Sequence, residues 1–464
     1  MFNRVISHAK RLVNRLFARQ VAPDVLIREA HSQNNELVKH NLIACSIEED
    51  ENNTYYSGLL NTLSQHCVGT IPLPSVQLDE KYIKLCDQIE DKWYEWSVWN
   101  GIGASIREFR RKCAQVGMAA LIPVKTDSDY DLKLGFQVVG AEYFKSPMEH
   151  FDDPYVIDGV HYHPSGTVRG VWIKEDLDSD PRYYSCSKDG VIVWARNRLY
   201  QRWPECAPAF TVYPSIRRYL ENIMRGEEFK TAIPMAVEMD PNVFKPQIVS
   251  EVKQTKFKYE PGMIPTLPVG CKLVGLNIGA MSADREKFIE LLAATAARCV
   301  DMPKVLALAD SSDSNMATAH IDLQPWKYAV EIDRYDFERV NQRVFQHWFT
   351  AAKTGGLLRN QATQFSRLPV LFQYTVLFEH PDPNKRAAAR ALDLASGAAT
   401  LTEVYADRGK NARRQILKDC KLMGISPEQF WKYTLQKRYD LVQNASKQNS
   451  SQDQSKDSKQ GEKR

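Results

Sequence analysis

The sequence predicts an α+β fold, and three stretches carry that expectation. Residues 259–276 are punctuated by Pro261, Gly262, Pro265, Pro268 and Gly270 and end in Cys271-Lys272-Leu273-Val274-Gly275-Leu276. Apolar pieces this brief between turn residues make short strands and tight turns. Next, Ser282 stands where an N-cap belongs, and Asp284 and Glu286 sit in the first turn, where the helix dipole favours acids. Phe288, Leu291, Leu292, Thr295 and Cys299 then recur at helical spacing, alanines fill the gaps, and Pro303 stops the run. Third, residues 118–124, 136–139 and 168–173 read as strands inside a first half that also carries helical patterns.

Composition sets the limits. A chain of 464 residues is too long for one simple core and divides into several subregions. Charged residues make up 25% and hydrophobic ones 43%, an ordinary balance for a soluble protein. The 61 basic residues barely exceed the 57 acidic ones. A protein that grips DNA by neutralising phosphates is more basic than this, so the charge allows only weak, sliding contact. Nine cysteines show no Cys-x-x-Cys pair and no regular spacing, which argues against zinc and a disulfide framework and for reduced thiols. No apolar run reaches the ~18 residues that would span a bilayer.

In chain order, residues 1–22 form a basic amphipathic helix: Arg4, Lys10, Arg11, Arg15 and Arg19 flank an apolar stripe of Val5, Ile6, Leu12, Val13, Leu16 and Phe17. It suits docking on its own domain or a neighbouring subunit, with a membrane-surface helix or presequence as the other reading. Glu48 to Glu51 read as a solvated acidic loop. Helices are expected over 82–99 and 109–118, and Pro164-Ser165-Gly166 is a turn between strands. Pro214, welcome at a first helical position, opens a helix to about residue 236 that carries Ile216, Leu220 and Ile223. The polar run Asp310-Ser311-Ser312-Asp313-Ser314-Asn315 is a loop. A helix over 326–352 follows, with Val330, Phe337, Val340, Val344 and Trp348 on one face. Residues 371–378 are strand-like, 384–397, 401–408 and 412–424 are short helices with glycine stops, and the polar tail from Asn444 lacks aromatic residues and is expected to be disordered.

Candidate chemistry is sparse. Asp240-Pro241 followed by Glu251-Val252-Lys253 is how many metal-dependent nucleases place two carboxylates on Mg²⁺ and a lysine beside the attacking water. The pattern is short and common, and nothing upstream supplies the further helix-borne acid such sites add. His161 and His163, two apart on a strand with Asp152 and Asp153 nearby, have metal-ligand spacing but equally suit an exposed strand end. Asp310 and Asp313 lack the glycine and closing glutamate of a calcium loop. No Walker-type phosphate loop and no Gly-x-Ser-x-Gly elbow occurs. No metal and no cofactor is expected.

One resemblance spans about 53–425 and is densest from Tyr259 onward. The Pro-Gly and second Pro-x-Gly, the Phe288 helix with Arg298 near its end, Met302-Pro303, Asp310-x-Ser312-x-x-Asn315, Trp326, Trp348, Gly355-Gly356 and Pro381-Asp382-Pro383-x-Lys385 occur in that order. In that order they resemble the portal, or head-tail connector, proteins of tailed bacteriophages, in the lambda-like branch. Met316-Ala317-Thr318-Ala319-His320 stands where that family carries an aromatic, two serines and an arginine. The resemblance implies a portal-type protomer: an α/β wing (23–213), a two-helix stem (214–240 and 282–302) and a small β-rich clip (241–281). A tunnel loop (303–325), a long helix with a wing return strand (326–385), a helical crown (386–443) and the tail (444–464) complete it. It further implies a homo-oligomeric ring of about twelve copies at one capsid vertex. Double-stranded DNA would pass through it, and it would engage terminase, the major capsid and scaffold proteins and a tail connector, with no membrane and no catalysis. The chain would work in the virion after assembly in the host cytoplasm. In that setting Asp310 to Asn315 face the DNA, Lys304, Arg217 and Arg218 supply weak attraction, and Pro261, Gly262, Pro265, Pro268 and Gly270 shape the docking clip. Phe288, Ala293 and Ala297 pack the stem. A metal-dependent nuclease using Asp240, Glu251 and Lys253 is the alternative from a different class.

Overall fold

A computed structural model describes residues 36–150, 153–175, 179–196, 203–210, 212–231, 235–239, 271–275, 283–310, 312, 316–358, 362–374, 377, 383–406, 412–434 and 436–437. Helices and small antiparallel sheets share the chain, an α+β architecture.

Helices α1 (Glu36–Asn52) and α2 (Thr54–Val68) meet at Asn53. Its side-chain oxygen accepts the amides of Tyr55 and Tyr56, while its nitrogen donates to Glu49 and to the Tyr213 carbonyl. One N-cap therefore ties α1, α2 and a helix 160 residues away. The acidic run is a correction to the expected loop: Glu48 to Glu51 lie inside α1. Glu49 is buried against Arg217, and Asp50 binds Arg111 at 2.6 Å and Gln115 at 2.6 Å. Glu48 and Glu51 do face solvent; for Glu49 and Asp50 the reading as solvent-facing charge failed because their partners are remote in sequence.

Strand β1 (Leu73–Val76) precedes α3 (Ile83–Trp99) and α4 (Ile102–Val116). Gly117 ends α4 at φ 83°, and a Cβ there would meet the Trp203 backbone at 2.6 Å. This close approach seats the loop carrying Glu205. Strands β2 (Ala119–Lys125) and β3 (Leu134–Gly140) pair antiparallel, with β8 (Ile192–Trp194) on the other edge of β2. A four-stranded meander, β4 (Val156–Ile157), β5 (Val160–Tyr162), β6 (Val168–Ile173) and β7 (Arg182–Ser185), lies between them in sequence. The Gly166 amide closes the β5–β6 turn on the His163 carbonyl at 2.7 Å.

Helix α5 (Tyr213–Thr231) stops short of the expected residue 236, and β9 (Met235–Met239) follows it. It pairs antiparallel with β10 (Cys271–Gly275), from Met239 opposite Cys271 to Met235 opposite Gly275. Then come α6 (Ala283–Ala297), α7 (Lys304–Leu308) and α8 (Met316–Thr354). The last corrects the expected loop to residue 325: its 39 residues, roughly 58 Å of helix, run through Pro325. A proline's ring and missing N–H are costly in a helix interior. Here Trp326 and Val330, both buried just beyond it, anchor the helix on each following turn. Strand β11 (Val370–Gln373) returns to pair with β1, and α9 (Pro383–Ser396), α10 (Leu401–Ala406) and α11 (Ala412–Met423) follow.

The inner face of α8 organises two cores. Trp93, Trp96, Phe345, Trp348 and Phe372 cluster, with Trp93 edge-on to Trp348 at 5.3 Å. Further up, Trp326 and Val330 join Tyr56, Leu60, Tyr213, Ala293 and Ala297. Trp326 donates its indole N–H to His66 Nδ1 at 2.9 Å, and Arg334 binds the His66 carbonyl. Burial, and then the Arg334 charge, lower the His66 pKa below 6.5. The folded state thus refuses a proton that the unfolded chain accepts. His66 contributes stability that is fully present above 6.5 and is lost as pH falls through it. The thermal midpoint should fall between pH 7.5 and 5.5, by roughly 2–4 °C for each kcal/mol lost. His66→Asn, which keeps an acceptor for Trp326, should fall less in the same melting experiment.

Candidate functional site

The stem and channel candidates that fall among the described residues lie on α5, on α6 and in the segment between α6 and α8. The two helices pack on each other, with Tyr219 of α5 edge-on to Phe288 of α6 at 5.7 Å. The buried face of α6 is Ile289, Ala293, Ala296 and Ala297, continued by Val300. This corrects the stripe read from sequence, because Leu291 and Thr295 are exposed and Phe288 is half-exposed. The small side chains face inward because α6 lies close on Tyr213, Ile216 and Trp326. Ala293 and Ala297 accordingly pack within the protomer.

The basic candidates are placed differently from one another. Arg217 binds Glu48 at 2.9 Å and Glu49 at 3.4 Å, and Lys304 binds Glu290 of α6 at 2.8 Å. Both cations are engaged by carboxylates of their own chain. Arg218 is exposed and has no ion-pair partner among the described residues. Beyond α6, Asp301 (φ 61°) and Ala309 (φ 52°) adopt left-handed backbone and turn the chain on either side of α7. Asp310 follows, exposed, with its carboxylate accepting the Ser312 amide at 2.9 Å. That backbone hydrogen bond holds its pKa below the ordinary carboxylate value, so it stays ionised.

Ser311, Asp313, Ser314 and Asn315 lie outside the described residues. So do Pro261, Gly262, Pro265, Pro268 and Gly270 of the clip, Asp240, Glu251 and Lys253 of the nuclease pattern, Asp152, and the basic segment 1–22. His161 Nδ1 meets the Tyr183 hydroxyl at 3.1 Å and His163 Nδ1 the Ser165 hydroxyl at 2.8 Å, so each ring has a local partner. Among the described residues no group of three or more His, Cys, Asp or Glu is arranged to hold a metal ion. No helix among them is long and apolar enough to cross a membrane.

One feature of the site went unread in the sequence. The outer face of α8 exposes Ile321 (67%), Tyr328 (63%), Ile332 (59%) and Tyr335 (79%). Positions 321, 328 and 335 are seven apart, and 332 lies within one turn of the last two, so the four form a row. The seven-residue repeat was the available signal. The assumed loop to 325 hid its first member.

No family model matches the chain, and no curated relative matches it. Among solved structures it is similar to a chain in the virion of a native gene transfer agent (GTA) particle, with TM-score 0.43 and 10% identity, covering 83% of this chain and 94% of the other. It is also similar to a chain in the neck of the empty GTA particle computed with C6 symmetry, with TM-score 0.40 and 10% identity, covering 81% and 91%. A chain in the neck of the native GTA particle computed with C12 symmetry gives TM-score 0.32 and 10% identity, covering 74% and 96%.

Proposed function

We propose that this chain is the repeated subunit of a portal ring, the head-tail connector at one vertex of a phage-type capsid, through which DNA is packaged and ejected. The observation that carries the reading is the α5–β9 and β10–α6 arrangement. Two packed helices lead into and out of a two-stranded ladder in which Met239 and Cys271, the described residues on either side of 240–270, stand opposite each other. That is the connectivity a stem with a projecting clip requires, and it coincides with the stretch where the ordered sequence features resemble portals most densely.

In this reading the subunit supplies a hole, a docking surface and a loop, and asks for no catalysis. Arg217 and Lys304 are paired within the chain, so exposed Arg218 and ionised Asp310 are the charges presented beside the channel. Carboxylates repel phosphate, so a duplex passes without falling into a binding well. The row on α8 serves as subunit interface, since closed cyclic packing buries the same patch on every copy. The clip would dock terminase and later the tail connector, and the wing would meet capsid and scaffold proteins.

Light scattering with negative-stain imaging of the purified protein tests the proposal. The expected result is an annular particle of about twelve subunits with a central hole. A monomer or dimer that persists across protein concentration and salt, and in the presence of the capsid and scaffold proteins, would overturn it.

A further inference from the structure

A cleft of about 780 Å³ opens between the middle of α8 and the strands beside it, and two neighbouring hollows of about 480 and 470 Å³ share its residues Cys186 and Arg343. Together they form one groove. Its charge is one-sided: Arg169, Arg339, Arg343 and Arg367 line it and are exposed. None of the four has a carboxylate at ion-pair distance among the described residues. Arg196, also in the wall, is taken by Glu205 at 3.3 Å, and Asp336 is the one acid in the lining. Arg339 and Arg343 are one helical turn apart and project side by side.

The opposite wall adds a second feature. Residues Pro369 to Leu371, at the start of β11, line the cleft, and β11 belongs to a sheet of two strands. Its hydrogen-bonding directions follow from the register. The Gln77 amide donates to the Pro369 carbonyl, and Val76 turns its amide away from β11 to Glu90. Pairs therefore alternate so that Pro74, which has no N–H, stands opposite Phe372 in a non-bonded pair. The N–H and C=O groups of Val370 and Phe372 then point away from β1, along an edge that no described strand covers.

We propose that this groove binds an extended acidic peptide segment of a partner protein, laid along the free edge of β11 with its carboxylates on Arg169, Arg339, Arg343 and Arg367. An added strand satisfies the outward backbone groups, and side chains of alternate residues reach the arginines across the cleft. Arginine forks suit carboxylates, and four of them with no carboxylate partner among the described residues form a field that attracts an acidic chain. Nucleic acid fits less well. Phe345 and Trp194 are buried, Tyr183 is packed on Trp172 at 4.8 Å, and His347 is half-buried between Phe136 and Gly190, so the described lining offers no open aromatic platform for a base to stack on. A duplex, whose major groove alone is about 12 Å wide, lies on a surface rather than in a cleft of this size.

Fluorescence anisotropy of the full-length protein tests this with a labelled peptide alternating glutamate and valine, a lysine–valine counterpart and a labelled oligothymidylate. The expected result is saturable binding of the glutamate peptide that weakens with salt. It should fall about thirtyfold or more in Arg339→Glu/Arg343→Glu and be unchanged in Lys84→Glu, an exposed charge outside the groove. Arg343→Gln, which removes charge without reversing it, should fall severalfold and stands in if the double variant melts early. Absence of peptide binding at low salt, equal binding of the lysine peptide, tighter binding of the oligothymidylate, or undiminished binding in a folded arginine variant would each overturn the proposal.

Discussion

Arg110→Met should destabilise the folded protomer by about 3–5 kcal/mol, the range expected when one member of a buried ion cluster is removed. Arg110 is fully buried on α4. Its Nε donates to Asp333 of α8 at 2.9 Å, and its two terminal nitrogens take both Glu205 oxygens at 2.8 and 3.0 Å. Its guanidinium also lies 5.3 Å from the Trp194 ring. Burial alone would push the Arg110 pKa down; the Asp333 and Glu205 charges outweigh it and hold the pKa above its ordinary value. The cluster thus joins α4, the loop seated by Gly117 and the long helix. Without Arg110, two buried carboxylates keep a single cation, Arg196, at 3.3 Å from Glu205 and 3.7 Å from Asp333. Methionine fills the volume but leaves that charge unpaired, so the cost is electrostatic rather than a cavity. Denaturant unfolding followed by circular dichroism should show Arg110→Met/Glu205→Gln recovering part of the loss. Arg110→Lys should recover little, because a point charge cannot reproduce the fork. A denaturation midpoint for Arg110→Met equal to wild type would show that the cluster contributes nothing net.

That cluster also shows where sequence reading stops. The strand over 168–173 and the inner face of α8 were legible because both rest on local periodicity, which burial follows directly. Arg110, Glu205 and Asp333 are separated by 95 and 223 residues from one another in the pairs they form, and nothing local marks them. The acidic run in α1 was misread for the same reason. Four acids in a row resemble a solvated loop until Arg111 and Arg217 are brought to them by the fold. The start of α8 was missed in another way: the loop implied to residue 325 gives way to a helix in which the cost of Pro325 is offset by the burial of Trp326 and Val330 beyond it. At the candidate site, the α5 and α6 helices could be read from spacing. The inward face of α6 could not, since alanine spacing does not say which side a neighbour approaches.

Tyr328→Glu/Ile332→Glu should abolish assembly of the proposed ring while leaving the fold of the chain intact. Scattered apolar residues on a surface are ordinary, but a row on one helix face is not, and water gives no reason to keep it. Ile321, Tyr328, Ile332 and Tyr335 sit on the face of α8 opposite Trp326, Val330 and Phe337, so they stand outside the cores formed by the described residues. Burying a large apolar side chain gains about 1.5–3 kcal/mol, so covering two of them is comparable to the difference between weak and firm association. In a closed ring the loss recurs at every interface. Two carboxylates placed in that contact should therefore leave no annular particles rather than fewer of them. The far-ultraviolet spectrum and the melting midpoint of the dissociated protomer should match wild type, because the substituted side chains are already exposed. Light scattering reads the assembly, and the spectrum guards against simple misfolding. Wild-type-sized rings from the variant would remove this face of α8 from the interface, and the exposed Leu291 and Phe288 of α6 would be the next apolar pair to substitute.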